Sequence, residues 1–545
     1  MARSDELLSL PRGQGGSHGR RLLRKRVMRS LRRWWGGHRS KLMIGVIARQ
    51  TILEHLLSFR FFAGCAIAFG LIATTTWVRI SQFNRQLALY HIERQQAQRE
   101  QERATVASSL ELKIVRPPEV LSIFVQGQLP PARQVATVDY FSVRQEPFVS
   151  VGGNPFLALA SRLDLNGLVM YIFSVLVLFL TYDAICGERE RGTLRMILAH
   201  GASRQHIVLG KWIGALAVLS VPLGGAAMIS LLLVERFCAL PLSSTDYGRV
   251  LMIVAVYFFF LGLMGLLGLW ISALAKDSVH SLLLCLSAWL LIVLLWPSAV
   301  THFHQMGAPP RISRHVIHAQ RIAEERAFRQ QVEELRSQFL DELRRVLPGR
   351  RIRFGWDGTQ MLFRNIPPEV EPLIERYVLK VVSLREKTEQ RREQLLEEYA
   401  RELQQRQRRA DRILSLSPAF LCERLVWSLS GTSAEDADHF SDLARAYQKT
   451  VRRVLHTLAP PTSRRWYSDD PPGNPGSMIE QLGEFLSTSP DPQRSFSWRL
   501  PEFRYYRRPL SRILAHHWLD IAGFLLAVPA LYLLAYYAAV RADVR

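Results

Sequence analysis

The chain has 545 residues, a formal net charge of +23 and five cysteines (Cys65, Cys186, Cys238, Cys285, Cys422) without paired metal spacing. That length allows a membrane part beside a sizeable soluble one. The basic residues lie along helices and span flanks with no nucleic-acid-binding module around them, which excludes nucleic acid as the partner and leaves membrane lipids, through anionic headgroups.

Residues 1–18 are polar and contain glycine and serine, a composition that reads as disorder. Within a basic extension, 1–41, Arg20–Trp35 reads as an amphipathic helix. Leu23, Val27, Leu31 and Trp34 form its apolar face, and Arg24, Lys25, Arg26, Arg29, Arg32 and Arg33 much of the rest. That is the pattern of a helix lying in a membrane interface. Residues 42–60 form a second interfacial segment that leads into the first apolar run.

Six runs reach the ~20 residues that a bilayer core requires: 61–80, 165–182, 212–234, 250–275, 279–300 and 518–540. The first sixty residues hold fourteen Lys and Arg, and Arg189, Arg191, Arg195, Arg204 and Lys211 follow the second run. This bias puts both termini and the 183–211 loop in the cytoplasm. No span carries an acidic residue or a lysine at its middle, which argues against an ion-coupled carrier. Gly262, Gly265 and Gly268 in the fourth suit close helix packing.

Two pieces lie outside. The first, 81–164, begins as a polar helix continuing the first span, after which LELKIVRPP and VDYFSVRQ alternate as strands do, predicting a small β element. The second, 301–517, predicts a large, mainly helical domain. Phe328, Val332, Leu335, Phe339, Leu343 and Val346 mark one apolar face, and Tyr377, Val381, Leu384, Thr388, Leu395, Tyr399 and Leu403 another, as in an antiparallel helical hairpin. Two more helices flank Gly431–Thr432, and 474–491 reads as a loop. The fold class is an all-α membrane protein with six transmembrane helices.

The 183–211 loop carries the most specific signal. Glu188, Glu190, Arg191 and Arg195 stand at helical spacing beside Leu194, Ile197 and Leu198. Gly201 marks a turn before Ser203 caps the next helix. On these features alone a solvated loop beside headgroups is the favoured reading. The order of Asp183, Gly187, Glu188, Glu190, Gly192, Thr193, Leu194, Ser203, Arg204, Gly210 and Lys211, however, resembles the cytoplasmic signature of ABC type-2 permeases, the transmembrane subunits of ATP-driven exporters.

The resemblance implies exporter architecture in a bacterial inner membrane. It also implies two copies of a separate ATP-binding subunit and a second permease, identical or homologous. ATP and Mg are then bound by that subunit, with no cofactor in this chain. Glu188, Glu190, Arg191, Gly192 and Thr193 are expected to form the docking helix, and Arg204, Gly210 and Lys211 to anchor the return into span three. Spans two and five are expected to line the path.

Ser417, Pro418, Gly431, Thr432, Phe440 and Tyr447, with PEFRYYRRPL before the last span, resemble a subgroup of these permeases. Its members insert a large extracytoplasmic domain between spans five and six and are often linked to copper-enzyme maturation. No GxxxxGK[ST] phosphate loop, HExxH or nucleophile elbow occurs, so no catalytic residue is assigned. His302 and His304, outside span five, are the weak metal candidates, with His516 and His517 at the other end of the same domain. A second hypothesis is a mechanical complex, in which ATP hydrolysis moves the outer helices against an envelope protein and nothing crosses the bilayer.

Overall fold

A computed structural model describes residues 43–57, 59–127, 135–145, 164–306, 314–348, 363, 366–468 and 498–541. The helix expected over Arg20–Trp35 and the loop expected over 474–491 lie outside these residues. Six described helices are long and apolar enough to cross a membrane: span one (Phe61–Arg103), span two (Leu165–Glu190), span three (Arg204–Phe237), span four (Ser244–Leu274), span five (Ser278–Val300) and span six (Trp518–Arg541). The end of the bundle holding the loop between spans two and three is the loop side; the opposite end is the domain side.

Span four is the centre of the bundle. Its apolar window is 61% buried, against 17% for span five and 11% for span six, so those two present most of their surface outward. Spans two, three and six all pack on it. Glycine makes the closest approach possible. A Cβ at Gly268 would overlap the Thr181 hydroxyl and lie 3.1 Å from Thr181 Cβ, so spans two and four touch backbone to side chain. Trp212 adds an indole N–H donated to the Gly262 carbonyl at 2.8 Å.

Spans two and five each contain a six-residue stretch of wider, π-helical winding, Leu168–Phe173 and Leu290–Leu295. The two are linked where the Trp289 indole donates to Ser174 Oγ at 2.8 Å. Such insertions re-aim the side chains that follow them and recur at working positions of helices.

The helix of span one belongs to a 45-residue helix, Phe59–Arg103. At ~1.5 Å per residue it is roughly twice the thickness of a hydrocarbon core. Its far half therefore stands on the domain side, where it packs on a three-stranded antiparallel sheet. Strands β1 (Leu112–Val115), β2 (Val135–Val138) and β3 (Val143–Gln145) pair in that order, with Leu112 opposite Val138 and Ala136 opposite Gln145. The alternation read in LELKIVRPP is real: Leu112 and Ile114 point inward and Lys113 outward.

An interfacial helix, α1 (43–56), precedes span one. The loop-side end of span two's range is α2 (Cys186–Glu190), and α3 (Thr193–Ala199) follows it before span three. The outer domain contains α4 (Arg314–Val346), α5 (Glu371–Leu414), α6 (Pro418–Ser430), α7 (Ala434–Leu458) and α8 (Leu510–His516). Helices α4 and α5 run antiparallel. Arg385 lies over the Phe328 ring, while Phe339, further along α4, stacks on Tyr377, earlier on α5, at 4.7 Å. Phe328, Val332, Phe339 and Leu343 are buried as their spacing predicts; Val346 and Leu403 are exposed, because each lies toward an end of its helix.

Outer helices and sheet share one core, in which Trp466 and Tyr467 are fully buried beside Ile114, Val138, Phe440 and Val451. The two pieces of sequence on the domain side thus share one core. All five cysteines are free, Cys422 buried and Cys238 half-buried.

Candidate functional site

The loop-side surface is built from two tight turns. Gly192 takes φ +72° and Gly201 φ +84°, a region where glycine alone is unstrained, and these two residues set α3 as a short bar between α2 and span three. Ser203 then caps span three: its Oγ accepts from the His206 amide while the His206 ring accepts from the Ser203 amide.

The residues of this loop, the signature among them, divide into two sets. One set is bonded to the spans, with Glu190 itself exposed. Glu188 and Lys211 are both buried and form an ion pair at 2.5 Å across the loop. Glu190 accepts from the amide and hydroxyl of Ser278, both at 2.7 Å, at the start of span five. Arg189 donates to the carbonyls of Ala273 and Ala275 at the end of span four. Arg204 donates to the carbonyl of Ala539 at 2.8 Å and to that of Val540, at the end of span six. The Thr193 hydroxyl donates to the Glu188 carbonyl at 3.2 Å, and the Gly187 amide to that of Asp183 at 2.9 Å. Leu194 is buried against Ala202 and Ile207.

Gly210 has a steric reason. A Cβ there would sit 2.8 Å from Ile47 Cβ, and one at Gly214 2.8 Å from Thr51 Cβ. Helix α1 therefore crosses span three in backbone contact.

The other set faces solvent: Arg191, Gly192, Arg195, Met196, His200 and Ser203 are exposed. Met196 stands 61% exposed at the rim of a cavity of about 300 Å³ between α1, α3 and the start of span three. Val46, Ile47, Ile197 and Ile207 line it, with Glu188 and Lys211 also in its wall. On α1, burial holds the His55 imidazole below its ordinary pKa, against the pull of Asp183 and Glu54. The sequence reading named the polar signature but not Met196 or Val46, whose signal is only an apolar residue on an otherwise charged face.

A second polar cluster, on the domain side, escaped the sequence reading. Arg507, in the RRP stretch before α8, pairs with both Glu119 and Asp246. Beside it, Arg508 donates to Asp436 at 2.7 Å and Ser433 at 2.9 Å. Arg249 donates to the carbonyls of Leu429 and Arg508. Asp246 and Arg249 lie before the apolar run 250–275, but the helix of span four begins at Ser244, and both are buried. Glu119 is raised above the usual carboxylate range by burial, with Arg507 and Arg116 pulling it back.

Next to these, Glu423 of α6 hydrogen-bonds Asn166 and lies near Asp164, and burial pushes it up to about 7. Of the metal candidates, His302 is exposed and the side chain of His304 lies outside the described residues. His516 and His517 approach Glu435.

The family model described as "ABC-2 family transporter protein" matches residues 54–544, nearly all of the chain. The chain is also 42% identical over 81 residues to "Probable ABC transporter permease protein NosY" of Stutzerimonas stutzeri, and 38% identical over 82 residues to the protein of the same description from Pseudomonas aeruginosa. These stretches cover 14% of this chain and 29% and 30% of the two relatives. Six membrane-crossing helices, a short-helix loop locked to several spans, and a family match over almost the whole length place this chain in the ABC-2 transporter family, as a membrane permease subunit.

Proposed function

We propose that this permease couples ATP hydrolysis in a separate ATP-binding subunit to movement of a substrate across a bacterial inner membrane. One observation carries the reading: α2 is bonded at once to the same-side ends of spans three, four and five, and Arg204 at the start of span three is bonded to the same-side end of span six. A push on α3 is passed to α2 where the Thr193 hydroxyl bonds the Glu188 carbonyl, and from α2 to those spans. The loop side is the cytoplasmic side, as the flanking basic residues require, and both termini lie there.

Two ATP-binding subunits, holding ATP and Mg, dock on the exposed Arg191, Arg195, Met196 and His200, with α1 beside them. Glu188, Glu190, Thr193, Arg204, Gly210 and Lys211 act beneath as the transmission. Closure of the ATPases switches the spans between inward and outward access. Spans two and five, with their paired π-helical stretches, line the path, and the outward faces of spans five and six accept a second permease or lipid. Affinity purification with mass spectrometry tests the reading: a stoichiometric ATP-binding subunit supports it, and its absence, with activity insensitive to vanadate, overturns it.

The Arg507 cluster favours a second reading. It ties the outer domain to the start of span four through buried charge, as a mechanical linkage requires. In that case the outer helices act on an envelope protein and no substrate crosses.

A further inference from the structure

We propose that Glu435, His516 and His517 bind a divalent transition-metal ion on the domain side of span six. A carboxylate oxygen and one nitrogen of each imidazole all lie within 4.8 Å of one another. The histidines end α8 where span six begins, and Glu435 stands in the first turn of α7. An ion held here joins α7 to the start of span six.

His517 is the most firmly oriented of the three, with a partner on each ring nitrogen. It is fully buried. Its Nδ1 lies 2.9 Å from the Asp520 carboxylate, which can only accept, so Nδ1 carries the proton and Nε2 a lone pair. A carboxylate on the far nitrogen is the usual outer support of a metal-ligating histidine. Asp520 is itself held by Arg424 at 3.4 Å. Ser428 Oγ, 2.8 Å from Nε2, donates to it; turning that hydroxyl hydrogen away frees the lone pair and leaves the oxygen near the ion.

The other two ligands keep the site reachable, since Glu435 is half-buried and His516 exposed. The cations facing the cluster are Arg424 and Arg508, each already on a carboxylate of its own, Asp520 and Asp436. Glu435 is thus the additional anion available to an incoming cation. Two imidazoles and a carboxylate suit zinc, and also copper(II) or nickel.

Zinc titration of the full chain in detergent, freed of its tag and treated with chelator, tests the site by calorimetry and by metal analysis after dialysis. One zinc per chain is expected, with a rise in Tm on addition. H516A and E435Q should each weaken binding roughly tenfold or more and abolish the rise. His516 is exposed, so H516A should leave the metal-free Tm unchanged. D520N, which removes the support without removing a ligand, should weaken zinc while H302A leaves it intact. A wild-type chain that takes up no zinc, or H516A and E435Q that bind it as the wild type does, overturns the proposal.

Discussion

Glu188 and Lys211, twenty-three positions apart, meet at 2.5 Å with both side chains under a tenth exposed. Removing one member of such a pair strands the other, at a cost of about 3–5 kcal/mol, whereas replacing both by apolar groups is often near neutral. Glu188→Ala or Glu188→Lys is therefore expected to lower the Tm of the isolated permease as well as any recovery of an ATP-binding subunit. Glu188→Leu combined with Lys211→Met is expected to restore most of the Tm. If Glu188→Ala melts with the wild type, the pair has no structural role.

The exposed set separates docking from folding. Met196 and Arg195 stand on solvent, where substitutions usually change stability by no more than about 0.5 kcal/mol. Met196→Glu and Arg195→Glu are expected to leave Tm in place and to reduce the co-purified ATP-binding subunit several-fold. Undiminished recovery with both changes present would move the docking surface elsewhere.

Much of this arrangement is legible in sequence because it is local. The steps of three and four from Phe328 to Leu343 mark a buried face, and the alternation in Leu112–Val115 marks a strand, since both follow from the geometry of one element. The signature loop showed which residues belong together but not which way they point. Glu190 and Arg191 are neighbouring charged residues, both exposed, yet Glu190 bonds Ser278 at the start of span five while Arg191 bonds back to the Gly187 carbonyl four residues earlier. Partners far along the chain decide that. Arg507 illustrates the same limit: its acids lie at positions 119 and 246, and nothing near it in sequence announces either.

Arg507 compensates two buried carboxylates on different parts of the fold. Arg507→Ala is expected to cost about 1–3 kcal/mol, the penalty for leaving buried polar groups unsatisfied. It should also speed limited proteolysis of the outer domain. Arg507→Lys keeps the charge but not the planar fork, and should fall between. Proteolysis and Tm equal to wild type in Arg507→Ala would remove the cluster as a link between domain and bundle.

Glu423 predicts a pH dependence of definite sign. Burial, reinforced by Asp164 and opposed by the Asn166 hydrogen bond, raises its carboxyl from 4.5 to about 7. The folded chain then holds this proton more tightly than the unfolded one, so the fold is favoured when Glu423 is protonated. Stability from this group is greatest below about 4.5 and is lost as pH rises toward about 7, with the slope negative throughout that window. Other groups titrate over the same range, so the informative quantity is a difference between variants. Glu423→Gln, which keeps the Asn166 contact and cannot ionise, is expected to flatten the fall in Tm between about pH 5 and 7.5 relative to wild type. Because α6 packs on span four, that fall should be accompanied by faster proteolysis near α6 at the higher pH in the wild type alone. Parallel Tm curves for the two proteins would show that Glu423 ionises without cost, and that the outer end of span two is wetter than its packing indicates.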